Sequence, residues 1–184
     1  MRDTTGCNDH VRAALRRDLG GFDLLAVMGG PMDVWQTDRY PWLVAEMAAI
    51  REWVADLGRP YLGICLGHQL LAEALGGKVG LMAVPEVGLT GTALTAAGQT
   101  DALFAGLGPA LQAFQWHGAE VQRLPEGAVA LAANAACPVQ ALRVVQVDQR
   151  QRAVVLVVPD VEGAGDVEGL EARQRDRKST RLNS

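Results

Sequence analysis

Cys65 stands between two glycines in Gly63-Ile64-Cys65-Leu66-Gly67, where the short apolar run 61–64 gives way to the helical periodicity of 66–75. A nucleophile on a sharp strand-to-helix turn is held at the edge of a sheet, and small flanking residues let the backbone fold tightly around it. The first turn of the helix behind it carries unpaired N–H groups and the positive end of the dipole, which favour the thiolate. The amide of Leu66 can donate to a developing oxyanion. A cysteine is otherwise often a small buried hydrophobe, and it is the placement at the junction that favours nucleophilic chemistry here.

A second glycine loop, Gly29-Gly30-Pro31-Met32, closes the apolar run 23–28 (DLLAVM). In an open parallel sheet, ligands gather beyond the carboxyl ends of the strands. This loop and Cys65 are therefore expected on one edge, with the Gly30 N–H as a second oxyanion donor. By itself Gly-Gly-Pro signals only a turn. A base is harder to find, because the chain has three histidines, His10, His68 and His117. His68 would have to reach back over the elbow from one turn along the helix. His117, in Phe114-Gln115-Trp116-His117-Gly118, can enter the cleft from a strand end, although a histidine beside an aromatic serves as often in packing or a local hydrogen bond. His10 lies in polar sequence and reads as solvated. Gln69 and Glu73 share a helical face with Cys65; the Gln69 amide suits a polar substrate, while surface solubility is the commoner role of either residue.

The elements that must position these residues follow from periodicity. Residues 23–28 predict a buried strand. Apolar residues at Trp42, Leu43, Met47, Ile50, Val54 and Leu57 predict an amphipathic helix over 42–57, stopped by Gly58 and Pro60. Residues 61–64 predict a strand and 66–75 a helix ending at Gly76-Gly77. Strand, helix, strand, helix implies parallel pairing. Further strands are predicted over 84–89, 111–116, 128–132 and 140–144, and 153–158 is strand-like. The Arg-, Gln- and Asp-rich residues beyond it read as a solvated tail.

A chain of 184 residues predicts one domain, and 49% apolar with 21% charged residues excludes a disordered or collagenous chain. The net charge of −4, with no Lys/Arg cluster beside aromatics, argues against a nucleic-acid partner. No run resembles a secretory signal or the ~20 apolar residues of a membrane span, so a cytoplasmic protein with no membrane partner is expected. Cys7, Cys65 and Cys137 are odd in number and far apart, which suggests neither a disulfide framework nor a paired-thiol zinc site. Cys7 and Cys137 read as structural. No metal or cofactor is expected, and Trp35, Trp42 and Trp53 read as core or loop anchors.

Three separated segments, GGPMDVWQTDRYPWLVAEM, GRPYLGICLGHQLLAEALGGKV and FQWHGAEVQRLPEGAVALAAN, resemble a class I glutamine amidotransferase domain, most closely its stand-alone GMP-synthase-like branch. The resemblance runs from about Phe22 to Val144. It implies an α/β, flavodoxin-like three-layer sandwich with a mostly parallel central sheet. It also implies hydrolysis of glutamine to glutamate and ammonia through a γ-glutamyl thioester, with the ammonia delivered to a synthase partner. Carried over by resemblance, Cys65 is the catalytic nucleophile, Gly30 and Leu66 form the oxyanion hole, Gln69 contacts glutamine, and His117 and Gly118 line the substrate pocket through their backbone. The family makes His68 a non-base.

The sequence departs from the family at both ends. The family's base and its orienting carboxylate come from a late Phe-His-Pro-Glu motif; here VLVVPDVE occupies that region, and no histidine follows His117. Neither Asp160 nor Glu162 can replace an imidazole near neutral pH. The organisation expected is an atypical segment 1–21, truncated relative to the family, an amidotransferase-like domain 22–144, and an aberrant or disordered segment 145–184. A reading-frame shift near Val144 accounts for the last, and the final KSTRLNS resembles translated vector or adapter sequence. An encoded Phe-His-Pro-Glu string in another frame downstream of Ala141 is the expected trace. The functional expectation is an impaired glutaminase. The alternatives are a glutamine-binding regulatory module without turnover and a hydrolase of γ-glutamyl peptides or amides.

Overall fold

The Cys65 junction is built on two short strands, β1 (Leu25–Val27) and β2 (Tyr61–Gly63), which pair in parallel with Val27 opposite Gly63. This is a computed structural model, and it describes residues 22–145 together with the backbone of 152–155. Expectations for Cys7, His10, segment 1–21 and residues 156–184 lie outside the described residues. The β1–β2 crossover runs through α1 (Trp42–Arg51), which widens into a π-helical turn, Glu52–Asp56. The predicted helix over 42–57 therefore holds, with its last turn in a wider winding. It stops where Gly58 turns the chain at φ +63° and the Trp53 indole donates to Pro60 O at 2.7 Å.

After β2 comes α2 (Leu66–Ala74), in which every residue from Leu66 to Ala72 is buried. A helix enclosed on all sides needs apolar residues all round, and α2 supplies Leu66, Leu70, Leu71 and Ala72 to a core shared with Leu43, Ile50, Trp53, Tyr61, Val121 and Leu142. Its two buried polar residues, His68 and Gln69, are the exceptions. Of the three tryptophans read as anchors, Trp53 lies in this core and Trp35 is exposed.

The larger sheet corrects the expectation of a mostly parallel one. Its strands are β3 (Lys78–Leu94), β4 (Ala110–Arg123), β5 (Ala128–Ala133), β6 (Ala141–Val145) and β7 (Arg152–Val155), in the order β4-β3-β5-β6-β7. Every pairing in it is antiparallel. For β5 and β6 the reason is connection length: a parallel pair needs a crossover of a dozen or more residues, and the 134–140 link is too short to supply one. The predicted strands 84–89 and 111–116 are parts of the far longer β3 and β4, which share one ribbon. β7 runs beside β2 and so brings the two sheets together. A short helix α3 (Ala96–Gln99) and the 3-10 turn Ala102–Phe104 bridge β3 to β4, over a second apolar cluster of Leu94, Phe104, Leu131, Ala132 and Ala141.

This second cluster is held by an ion pair, Arg143 Nη1 to Asp101 Oδ2 at 2.8 Å, with the Asp101 side chain 1% exposed. Asp101 also caps the 3-10 turn by accepting from the Leu103 N–H at 2.9 Å. Asp101→Ala removes the cap and leaves a largely buried guanidinium uncompensated, so a loss of about 3 kcal/mol is expected in urea unfolding. Asp101→Asn keeps an acceptor for Leu103 and should lose less.

Candidate active site

Cys65 has φ +52° and ψ −104°, and among the described residues no other non-glycine has a positive φ. Strain of this kind persists only where the surroundings enforce it, and both neighbouring glycines show how. A Cβ on Gly67 would stand 2.2 Å from Val27 O, and one on Gly63 would stand 2.6 Å from the Gly67 carbonyl carbon. The first turn of α2 is thus pressed against β1 and β2 at backbone contact. Ile64 N–H donates to Val27 O at 2.9 Å, and the buried Tyr61 hydroxyl donates to Gly67 O at 2.9 Å, so the turn is tied from both strands. Burial, with the Glu46 carboxylate nearby, raises the Tyr61 phenol well above its ordinary value, which keeps it a donor. Leu66 opens the helix, where an amide has no intrahelical acceptor. Gly30 lies against it: a Cβ there would meet Leu66 Cδ2 at 3.0 Å. The two expected oxyanion donors therefore belong to neighbouring residues.

Cys65, His68, Gln69 and His117 line one small cleft, together with Ala119, Glu120, Cys137, Val139 and Gln140. Gln69 is buried and its Nε2 donates to Ala119 O at 3.2 Å, which ties α2 to β4 and sets aside the solubility role. Glu73 accepts from the Val79 N–H at 3.1 Å, a structural role at the far end of the helix. Gly118 is not among the residues lining the cleft; it lies beneath Pro85, whose Cγ would be 3.6 Å from a Cβ there.

Both described histidines line the cleft with Cys65, and their surroundings restrict what each ring can do. His68 is 3% exposed, and burial together with the neighbouring His117 pushes its pKa down to about 3. The His117 Nδ1 is 3.0 Å from Ala119 O. A carbonyl only accepts, so the proton is on Nδ1. The other ring nitrogen faces Glu86, with Nε2 3.2 Å from Oε2.

Glu86 is the residue that motif reading missed. A register shift in the β3–β4 ladder between Leu81 and Glu86 sets residues 82–85 against Gly118 alone, and Glu86 comes out directly opposite His117. Its carboxylate is 7% exposed and accepts from Asn134 Nδ2 at 2.7 Å and from the buried Gln140 Nε2. Asn134 Oδ1 in turn accepts from the Cys137 N–H at 2.7 Å, so the β5–β6 loop is folded onto this carboxylate. The Cys137 thiol is pushed up to about 11, by burial first and then by Glu120 and Glu86, against the lowering effect of a Val139 backbone hydrogen bond. The only forewarning was Pro85 and Gly88 flanking a glutamate inside an apolar run, a weak sign of a bulge.

A cysteine on a strained strand-to-helix turn, backed by a glycine loop on the neighbouring strand, defines an α/β protein of the nucleophile-elbow class. Comparison with known proteins narrows this. The family model of glutamine amidotransferase class-I matches residues 7–147, and the chain belongs to that family. It is 37% identical over 125 residues to a subunit of the glutamine-hydrolyzing GMP synthase of Sulfolobus acidocaldarius, a match covering 68% of this chain and 62% of that protein. The corresponding protein of Thermococcus kodakarensis is 38% identical over 96 residues, 52% of this chain and 50% of that one. The chain thus spans less than two thirds of the length of these relatives. Among solved structures, a glutamine amidotransferase of Thermotoga maritima aligns with a TM-score of 0.67 at 27% identity, covering 91% of this chain and 69% of that one. One from Methylobacillus flagellatus aligns at 0.59 and 30%, covering 72% and 50%. The fold is that of the class I amidotransferases. No helix among the described residues is long and apolar enough to cross a membrane.

Proposed function

We propose that this chain carries the glutaminase site of a GMP-synthase-type class I amidotransferase, within residues 22–144, and that its turnover is impaired. The observation that supports this most directly is the φ of +52° at Cys65, enforced by the contact of Gly67 with Val27. In this reading the Cys65 sulfur attacks the side-chain amide carbon of glutamine. The N–H groups of Gly30 and Leu66 hold the oxyanion, while Gln69 and the His117 backbone hold the substrate. Collapse of the tetrahedral intermediate forms the γ-glutamyl thioester, the thiol proton leaves with ammonia, and water releases glutamate. The relatives are named as subunits of GMP synthase, which supports an ammonia-accepting synthase partner.

The surroundings of the two described histidines support the impairment. His68 is too weakly basic, and His117 has both ring nitrogens turned to β3 and β4 partners. Loss of one member of a catalytic triad lowers turnover by several orders of magnitude. A glutamine-mimicking diazo ketone should therefore add once per chain, slowly, at Cys65. Intact-mass and peptide mapping check this; no adduct, or one retained in Cys65→Ala, overturns the reading. The same lack of a base favours a second reading, a glutamine-binding module without turnover. Calorimetric glutamine binding with no ammonia release would select it.

A further inference from the structure

A buried imidazole nitrogen and a buried carboxylate face each other beside the cleft. The Nδ1 of His117 is directed at Ala119 O, and its Nε2 points at the Glu86 carboxylate, 3.2 Å away. The side chains of both residues are 7% exposed, and Nε2 has no aligned hydrogen-bond partner. The Cys137 sulfur completes the group: the donor atoms of Glu86, His117 and Cys137 all lie within 4.8 Å of one another. We propose that these three residues form a binding site for one borderline-soft divalent cation of the zinc type.

The donor set selects the ion. One thiolate, one imidazole and one carboxylate suit zinc, whereas calcium and magnesium require mostly oxygen. Metal–nitrogen and metal–oxygen bonds of about 2.0–2.2 Å at a tetrahedral angle put the two donors about 3.3–3.6 Å apart, near the 3.2 Å spacing of Nε2 and Oε2. Thiolate and carboxylate together cancel the charge of a divalent ion, which a buried position demands; the thiol proton leaves to solvent on binding. The surrounding contacts are those that orient metal ligands. The other His117 nitrogen donates to a backbone carbonyl, and Asn134 fixes two ligands at once, donating to Glu86 Oε1 at 2.7 Å and accepting from the Cys137 N–H at 2.7 Å. The three donors come from β3, β4 and the β5–β6 loop, far apart in sequence. Two of them, His117 and Cys137, also line the cleft beside Cys65, so the test reads metal binding rather than turnover.

The test uses the full chain, stripped with a chelator and titrated with Zn2+ against a chromophoric competitor. One ion per chain is expected. His117→Gln and Cys137→Ser should each weaken binding by about 100-fold or more, and Asn134→Ala by about 10–100-fold. Co2+ serves as the spectroscopic probe. In a Cys7→Ser/Cys65→Ser double variant, Cys137 is the sole thiol, and Co2+ should still give a near-ultraviolet thiolate charge-transfer band. Absence of stoichiometric Zn2+ binding would mean that a protonated His117 simply pairs with Glu86, and the proposal fails. It fails equally if the double variant gives no such band, a readout that stands even if Cys137→Ser does not fold.

Discussion

Gly67→Ala should leave almost no folded protein. The added Cβ would stand 2.2 Å from Val27 O and 2.8 Å from Val27 C, and both contacts are backbone atoms of a paired strand. A flexible side chain can swing away from such a contact, but β1 can yield only by breaking its ladder with β2. Overpacking of a side chain costs about 1–3 kcal/mol; a clash between backbones has no rotamer to relieve it and should exceed that range. The consequence reaches the chemistry, because the same contact holds Cys65 at its positive φ and sets the Leu66 amide. Gly76→Ala is the comparison. That residue has φ +84° with nothing within 4 Å of a Cβ, so only the left-handed conformation is penalised, at about 1–2 kcal/mol. Soluble yield and urea midpoints would check the pair. Gly67→Ala within about 1 kcal/mol of the parent would show that the helix start is not pressed against β1, and the account of the elbow would fall with it.

Acid should destabilise the protein through His68, well before most carboxylates protonate. Burial holds the native pKa at about 3 against an ordinary 6.5. Between these values the unfolded chain binds a proton that the native state refuses, so stability falls as pH drops from about 6.5 toward 3 and is independent of this group above 6.5. At ~1.4 kcal/mol per pKa unit the full loss amounts to roughly 4–5 kcal/mol near pH 3, a large share of the ~5–15 kcal/mol that stabilises a typical domain. His68→Leu removes the titration without leaving a polar atom unsatisfied. Urea unfolding at a series of pH values should show the slope in the parent chain and a flatter profile in the variant. Equal slopes would mean that His68 takes up its proton in the folded state.

The strand-turn-helix around Cys65 was legible in the sequence because its causes are local. Gly63, Cys65 and Gly67 lie within one turn of chain, and their types report the backbone geometry that only small residues permit. The first helix and the parallel pair β1–β2 were legible for the same reason, since apolar spacing and stop signals are short-range. The sheet after α2 was not. Strand fragments were found at 84–89 and 111–116, but their direction depends on connection length and partner choice, and the register shift that turns Glu86 inward depends on the opposing strand. Gln69 and His117 illustrate the division well. Their types marked them as candidates, while their hydrogen bonds to Ala119 O, fixed by the position of β4, decided what each nitrogen is free to do. By itself, the sequence determined which residue is the nucleophile candidate and which family the chain resembles. Only the tertiary structure decided that Glu86, His117 and Cys137 meet, because their proximity is a product of strand register and loop closure, and neither is written in the spacing of the residues themselves.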